Sequence, residues 1–98
     1  MVNPYIDEQH EDFFIRTFDA ATEDDELVWH RDRFRRTVYV LAGKGWQLQY
    51  DNEEPMDLVK GIGYFIPEMY YHRLLRKNEC NDTLVLKIEE AKTPTLHK

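Results

Sequence analysis

The segment TLVLKIEE, residues 83–90, constrains the fold more than any other part of the chain. Leu84, Leu86 and Ile88 recur at every second position, with Val85 and Lys87 between them. A period of two sends successive side chains to opposite faces, which marks a strand with one buried face. WQLQY (46–50) repeats the pattern, with Trp46, Leu48 and Tyr50 on one face and Gln47 and Gln49 on the other. Six more short runs are rich in aromatic and β-branched residues: FFIRTFD (13–19), LVWH (27–30), TVYVL (37–41), MDLVK (56–60), GYFIP (63–67) and YYHRLL (70–75). Turn chemistry separates them at Gly43-Lys44-Gly45, at DNEEP and at Gly61. Pro67 ends its run because proline has no N–H to give a ladder. Residues 1–12 read as a loosely held arm or an edge segment. The acidic stretch 20–26 reads as a solvated loop or a short helical turn capped by Thr22. No segment carries a long helical period. Seven or eight short strands at regular spacing predict an all-β sandwich or a single small β-barrel, whose closure would remove exposed edges.

Ninety-eight residues suit one domain, with its core across about 13–90 and polar arms at the ends. A hydrophobic content of 42% allows a core, but a thin one, so homodimerisation is expected to support it. The net charge of −6 argues against a nucleic-acid backbone or an anionic membrane as partner. No apolar run approaches the roughly 20 residues of a membrane span, and the acidic start of the chain has no apolar signal core. A cytoplasmic setting is expected. The single cysteine, Cys80, has no partner for an intramolecular disulfide and reads as an inert thiol in an exposed turn. GxGxxG, P-loop, GxSxG and CxxC patterns do not occur, so nucleotide binding and serine or redox-cysteine chemistry lack a motif.

The chemistry-bearing stretch is WHRDRFRRTVYVL, residues 29–41. His30 and Asp32 stand two apart, so a regular strand would point both to one face. His72, in YFIPEMYYHRLL, would bring a second imidazole from far along the chain. Two imidazoles and one carboxylate are the ligand set of open non-haem Fe(II) sites, and Mn, Ni or Zn would also accept it. Arg36 shares the strand face of Val38 and Val40 and would point inward too. A guanidinium stays protonated and cannot ligate a metal. Beside Asp32 it would form a bidentate pair. The residues therefore allow a metal site at His30, Asp32 and His72, or a metal-free polar network built on Asp32–Arg36. A purely structural dimer is a third reading. Arg31, Arg33, Arg35 and Arg36 cluster, and Arg73, Arg76 and Lys77 flank His72. They either grip the carboxylate or phosphate of a small-molecule ligand, or form a solvated face. Arg36, Arg76 and Gln47 are the candidate ligand-binding residues. Trp29, Trp46, Tyr64, Phe65, Tyr70 and Tyr71 suit core and rim packing, or a stacking wall for a ligand. His10 and His97 read as solvated.

Two of these segments resemble the motifs of the cupin superfamily, small β-barrels of the jelly-roll kind. The usual first motif is His-x-His, a glutamate three or four residues on, then a glycine. His30 takes the first position, Asp32 stands where the second histidine would be, Arg36 where the glutamate would be, and Gly43 closes the motif. The second motif runs from a glycine through a proline to a histidine, matched by Gly61, Pro67 and His72, with Met69 where a glycine is common. The resemblance covers residues 27–89. It implies a single jelly-roll barrel with a pocket around His30, Asp32 and His72. It also implies a divalent metal and a small anionic substrate for a dioxygenase, isomerase or lyase. Asp32 and Arg36 depart from the family pattern.

Overall fold

The computed structural model of the chain describes residues 5–22, 27–78 and 80–91. They form eight strands: β1 (Tyr5–Gln9), β2 (Phe14–Phe18), β3 (Arg36–Ala42), β4 (Trp46–Tyr50), β5 (Met56–Asp57), β6 (Gly63–Ile66), β7 (His72–Arg76) and β8 (Leu84–Glu90). All ladders are antiparallel. Five strands make one sheet in the order β1-β2-β8-β3-β6, and three make a second in the order β5-β4-β7.

The period-two pattern decides which side chains enter the core. Along β8 the buried residues are Leu84, Leu86 and Ile88, and along β4 they are Trp46 and Leu48. In β6, Tyr64 and Ile66 go in while Phe65 stays 53% exposed. The two inner faces share one apolar cluster that includes Phe14, Phe18, Val38, Val40, Trp46, Leu48, Leu84 and Leu86. Trp46 is the largest side chain that is almost fully buried, and its indole N–H donates to the Asp82 carbonyl at 2.9 Å. A buried indole needs that acceptor.

The ladders do not run continuously from one sheet to the other. Side-chain hydrogen bonds span the gaps instead: the Tyr50 hydroxyl donates to the Phe65 carbonyl, and Arg76 donates to the Ala20 carbonyl. The chain changes sheets after β3. A bulge between Val40 and Ala42 leaves Leu41 without a partner on β8, and bulges bend and twist a strand. Gly43 (φ 111°) and Gly45 (φ 85°) then turn the chain into β4. The Gly43-Lys44-Gly45 turn thus joins two sheets rather than two arms of one hairpin.

Several boundaries differ from the sequence expectation. Of the two readings of the N-terminal stretch, residues 5–9 take the edge one, a paired strand fastened to β2 by Arg16 donating to both Asp7 carboxylate oxygens at 2.7 and 2.8 Å. The expected strand at 27–30 reduces to a single bridge at His30, because the charged bend that follows it offers no continuous ladder. MDLVK contributes only Met56–Asp57, although the Leu58 N–H still reaches the Trp46 carbonyl at 2.9 Å. The expected turn at 20–26 falls largely, and His97 entirely, outside the described residues.

Candidate metal centre

His30 and His72 are brought together by one reciprocal backbone pair. The His30 N–H donates to the His72 carbonyl at 2.9 Å, and the His72 N–H donates back to the His30 carbonyl at 3.0 Å. Residues directly opposite in an antiparallel pair carry their side chains to the same face. The two rings accordingly lie 4.4 Å apart between centroids. On its other side His72 pairs with Tyr50 of β4, so it sits inside the sheet with its side chain only 4% exposed. The His30 ring is 43% exposed and forms the open side of the site.

Asp32 follows two residues after His30 and points the same way. Its carbonyl accepts the Met69 N–H at 2.7 Å. Met69 reaches that position with φ 59°, a left-handed backbone unusual for a residue with a side chain. This is the position where the cupin pattern commonly has glycine.

The intervening residues face outward and build a stack. Trp29 lies on Tyr71 with ring centroids 5.1 Å apart. The Arg31 guanidinium caps Tyr71 at 4.6 Å and Arg73 caps Trp29 at 4.6 Å. Arg73 is further fixed by donating to Gln49 at 2.9 Å. These four residues clamp the 29–32 segment against β7, where the ladder alone contributes one bridge.

Inside, one ligand atom each from His30, Asp32 and His72 lies within 4.8 Å of the others, close enough to hold one metal ion. Asp32 Oδ2 is 3.1 Å from His72 Nε2, and Oδ1 is 3.5 Å from His30 Nε2. Each ring has its other nitrogen against a backbone carbonyl: His72 Nδ1 on Tyr70 O at 2.7 Å, His30 Nδ1 on Val28 O at 2.9 Å. A carbonyl can only accept, so Nδ1 carries the proton in both rings. Both rings therefore turn Nε2 toward the Asp32 carboxylate.

Arg36 completes the surroundings. Its Nη1 lies 3.2 Å from Asp32 Oδ2, while its Nε donates to Glu90 Oε2 at 2.6 Å. The expected bidentate Asp32–Arg36 fork is not formed, because Arg36 is shared between two carboxylates. Burial pushes the Asp32 carboxyl up, but close His72 and the charges of Arg36, His72 and His30 outweigh it and hold it below its ordinary 3.8. Even so, Asp32 Oδ2 is buried and makes no hydrogen bond of acceptable geometry.

The other expected ligand-binding residues do not converge here. Gln47 lies on the outer face of β4 and donates to Asp57 at 3.0 Å. Arg76 is at the far end of β7, four residues from His72 and so roughly 13 Å along the strand. Arg31 and Arg33 are exposed, and Arg33 lies over the Phe34 ring. Trp46 and Tyr64 are core residues, while Phe65 and Tyr70 are exposed. Glu90 is the site residue the sequence reading missed. It is the cross-strand partner of Arg36, 54 residues away, and only strand register reveals it. Arg36 and Glu90 also border a pocket of about 220 Å³ shared with Arg35, Thr37 and Phe65.

No protein-family model and no curated protein sequence matches the chain. Solved structures do. DMSP lyase DddQ from Ruegeria pomeroyi DSS-3 superposes at TM-score 0.59 with 15% identity, covering 86% of this chain and 40% of that one. The Fe(II) form of HppE superposes at 0.61 with 15% identity, covering 81% and 41%. A mannose-6-phosphate isomerase-like protein from Ralstonia eutropha JMP134 superposes at 0.62 with 11% identity, covering 91% and 83%. The chain thus spans about two fifths of the lyase and of HppE, and most of the third protein. All three are cupin-fold proteins, and this chain, with its all-antiparallel strands and no helix among the described residues, has the cupin fold.

Proposed function

We propose that the chain binds a divalent metal ion through His30 Nε2, Asp32 and His72 Nε2, and presents it to a small anionic molecule. The observation that carries this reading is the Asp32 Oδ2 atom, buried and without a hydrogen bond although two nitrogens lie within 3.2 Å. An orphaned buried polar atom in a folded protein calls for an explanation, and an ion is one of the standard ones. A metal ion would satisfy both imidazole lone pairs and the carboxylate together. The backbone carbonyls on Nδ1 are the outer partners that orient ligating histidines in metal sites. The donor set of two imidazoles and one carboxylate suits Fe, Mn, Ni or Zn. HppE, with the same fold, has a structure in its Fe(II) form. The metal would supply Lewis-acid polarisation or an oxygen-binding position. The chain's own residues would orient it and leave its His30 side open. Arg36 would offset the charge of an anionic ligand.

Metal analysis of protein purified without chelator tests the reading. At one hundred times Kd a bound metal adds about 2.7 kcal/mol to the folded state. For a domain this small that raises Tm by roughly 10–20 °C. Less than about a tenth of an equivalent of metal, with no shift on adding Fe(II), Mn(II), Ni(II) or Zn(II), refutes it.

The 3.2 Å approach of Arg36 to Asp32 favours a second reading, a metal-free pocket for a small ligand. In that case Arg36→Glu creates metal affinity that the parent protein lacks. A parent that binds metal, and a variant that binds no better, sinks it.

A further inference from the structure

We propose that Glu90 is a positioning residue for the metal site, acting through Arg36. The inference rests on the metal reading above. It starts from the way one guanidinium is divided between two carboxylates. Arg36 Nε makes a short, well-directed hydrogen bond to Glu90 Oε2 at 2.6 Å. Its Nη1 only approaches Asp32 Oδ2, at 3.2 Å and without hydrogen-bond geometry. The guanidinium is a rigid planar fork, so the shorter bond fixes the plane and the longer contact takes what is left. Arg36 and Glu90 are register partners on the central strands β3 and β8. Both side chains are largely buried, at 15% and 19% exposed.

Without the Glu90 carboxylate the Arg36 fork loses its hydrogen-bonded anchor and keeps only the Phe14 ring beneath it, 5.6 Å from its centroid. Two donors could then close on the Asp32 oxygens, and a bidentate arginine–carboxylate pair is among the stronger contacts available. That pair would occupy the lone pairs a metal needs. Arg36 and the metal compete for Asp32, and Glu90 decides the competition by keeping Arg36 occupied. A loaded site then leaves the Arg36 Nη groups beside the metal, where they suit an anionic ligand.

The test is a double-mutant cycle read by Co(II) titration, following visible absorption. Glu90→Gln should weaken Co(II) binding by about tenfold, the lower end of the usual effect of such outer partners. Arg36→Gln, which removes the competitor, should tighten it by a similar factor. The double variant should match Arg36→Gln within about twofold, since contacting residues couple and Glu90 has nothing left to hold. Glu90→Ala should behave as Glu90→Gln, which covers a folding defect of either variant. A metal-free readout is the Arg36 Nε–H resonance, protected from exchange in the parent and exposed in Glu90→Gln. Unchanged Co(II) affinity in Glu90→Gln overturns the proposal. So does an equal loss in the Arg36→Gln background, which would make Glu90 a mere distant charge. If neither the parent nor Arg36→Gln binds Co(II), the metal reading itself fails.

Discussion

Replacing Trp29 by alanine should loosen the 29–32 segment without unfolding the protein. The segment that carries His30 and Asp32 belongs to no named strand. Its backbone is held by the reciprocal His30–His72 bridge and by the Met69 N–H on the Asp32 carbonyl. The outer stack supplies the rest. The Trp29–Tyr71 contact is worth about 0.5–1.5 kcal/mol beyond its buried area. The Arg73 guanidinium over Trp29 adds about 0.5–1 kcal/mol at a partly exposed position. Trp29→Ala removes both, so local opening should become easier by roughly 1–2.5 kcal/mol. At about 1.4 kcal/mol per tenfold, that is roughly fivefold to seventyfold faster amide exchange. The amides to follow by native-state hydrogen exchange are those of His30 and Met69, with β3 amides as the reference for global unfolding. Trp29→Phe keeps a ring in the stack and should recover most of the protection. Unchanged exchange at His30 and Met69, or an equal rise in β3, refutes the argument that the stack holds this segment.

Two other outcomes are expected. Gly43→Ala should cost about 3 kcal/mol or more in urea unfolding, because its Cβ would sit 2.6 Å from the Thr83 carbonyl and 2.9 Å from Leu84 Cα at φ 111°. Gly61→Ala, also at positive φ but with nothing within 4 Å, should cost only about 1–2 kcal/mol, so equal losses would remove the steric account. For metal-free protein, the stability advantage of the parent over Asp32→Asn should shrink as pH falls below about 4. The folded Asp32 carboxyl is held below 3.8, so the unfolded chain takes up its proton first. The stabilisation is complete above the unfolded value and is lost as pH falls through the folded one. Urea titrations of both proteins across that range measure it, and a gap that widens in acid contradicts the sign.

The strands that were legible in the sequence are those with one wet and one dry face. In β8 and β4 the alternation of Leu84, Leu86, Ile88 and of Trp46, Leu48 is the burial pattern itself. Legibility failed where structure depends on a partner instead of a period. The 27–30 stretch is apolar enough for a strand, yet Val28 is 59% exposed and only His30 pairs. Alternation puts Gln47 and Gln49 on one face but does not say whether that face meets solvent or a pocket, because a one-residue slip inverts every side chain. The cross-strand pairs Gln49–Arg73 and Gln47–Asp57 place both on the outer face. Arg76 looked close to His72 along the chain, but a strand carries side chains roughly 3.3 Å further per residue, and four steps leave the site.

The site shows why its histidines could be read from the sequence and its second carboxylate could not. His30 and Asp32 are neighbours by the same period of two that builds the sheets, and His72 falls opposite His30 through one antiparallel pair. The same alternation puts Trp29, Arg31, Tyr71 and Arg73 outside. One local rule thus makes the inner His30–Asp32–His72 trio and the outer clamp together, and a mutation in either layer acts on the other. Glu90 obeys no local rule. It meets Arg36 only because β8 lies beside β3 with Glu90 opposite Arg36. A shift by one residue in the direction that brings Ala91 opposite Arg36 would leave no carboxylate there and turn Glu90 to the outer face. Arg36 would then have Asp32 as its inward carboxylate and would be free to close on it as a bidentate pair. Whether Asp32 is left open for the proposed metal or closed in an ion pair therefore turns on the register of two central strands.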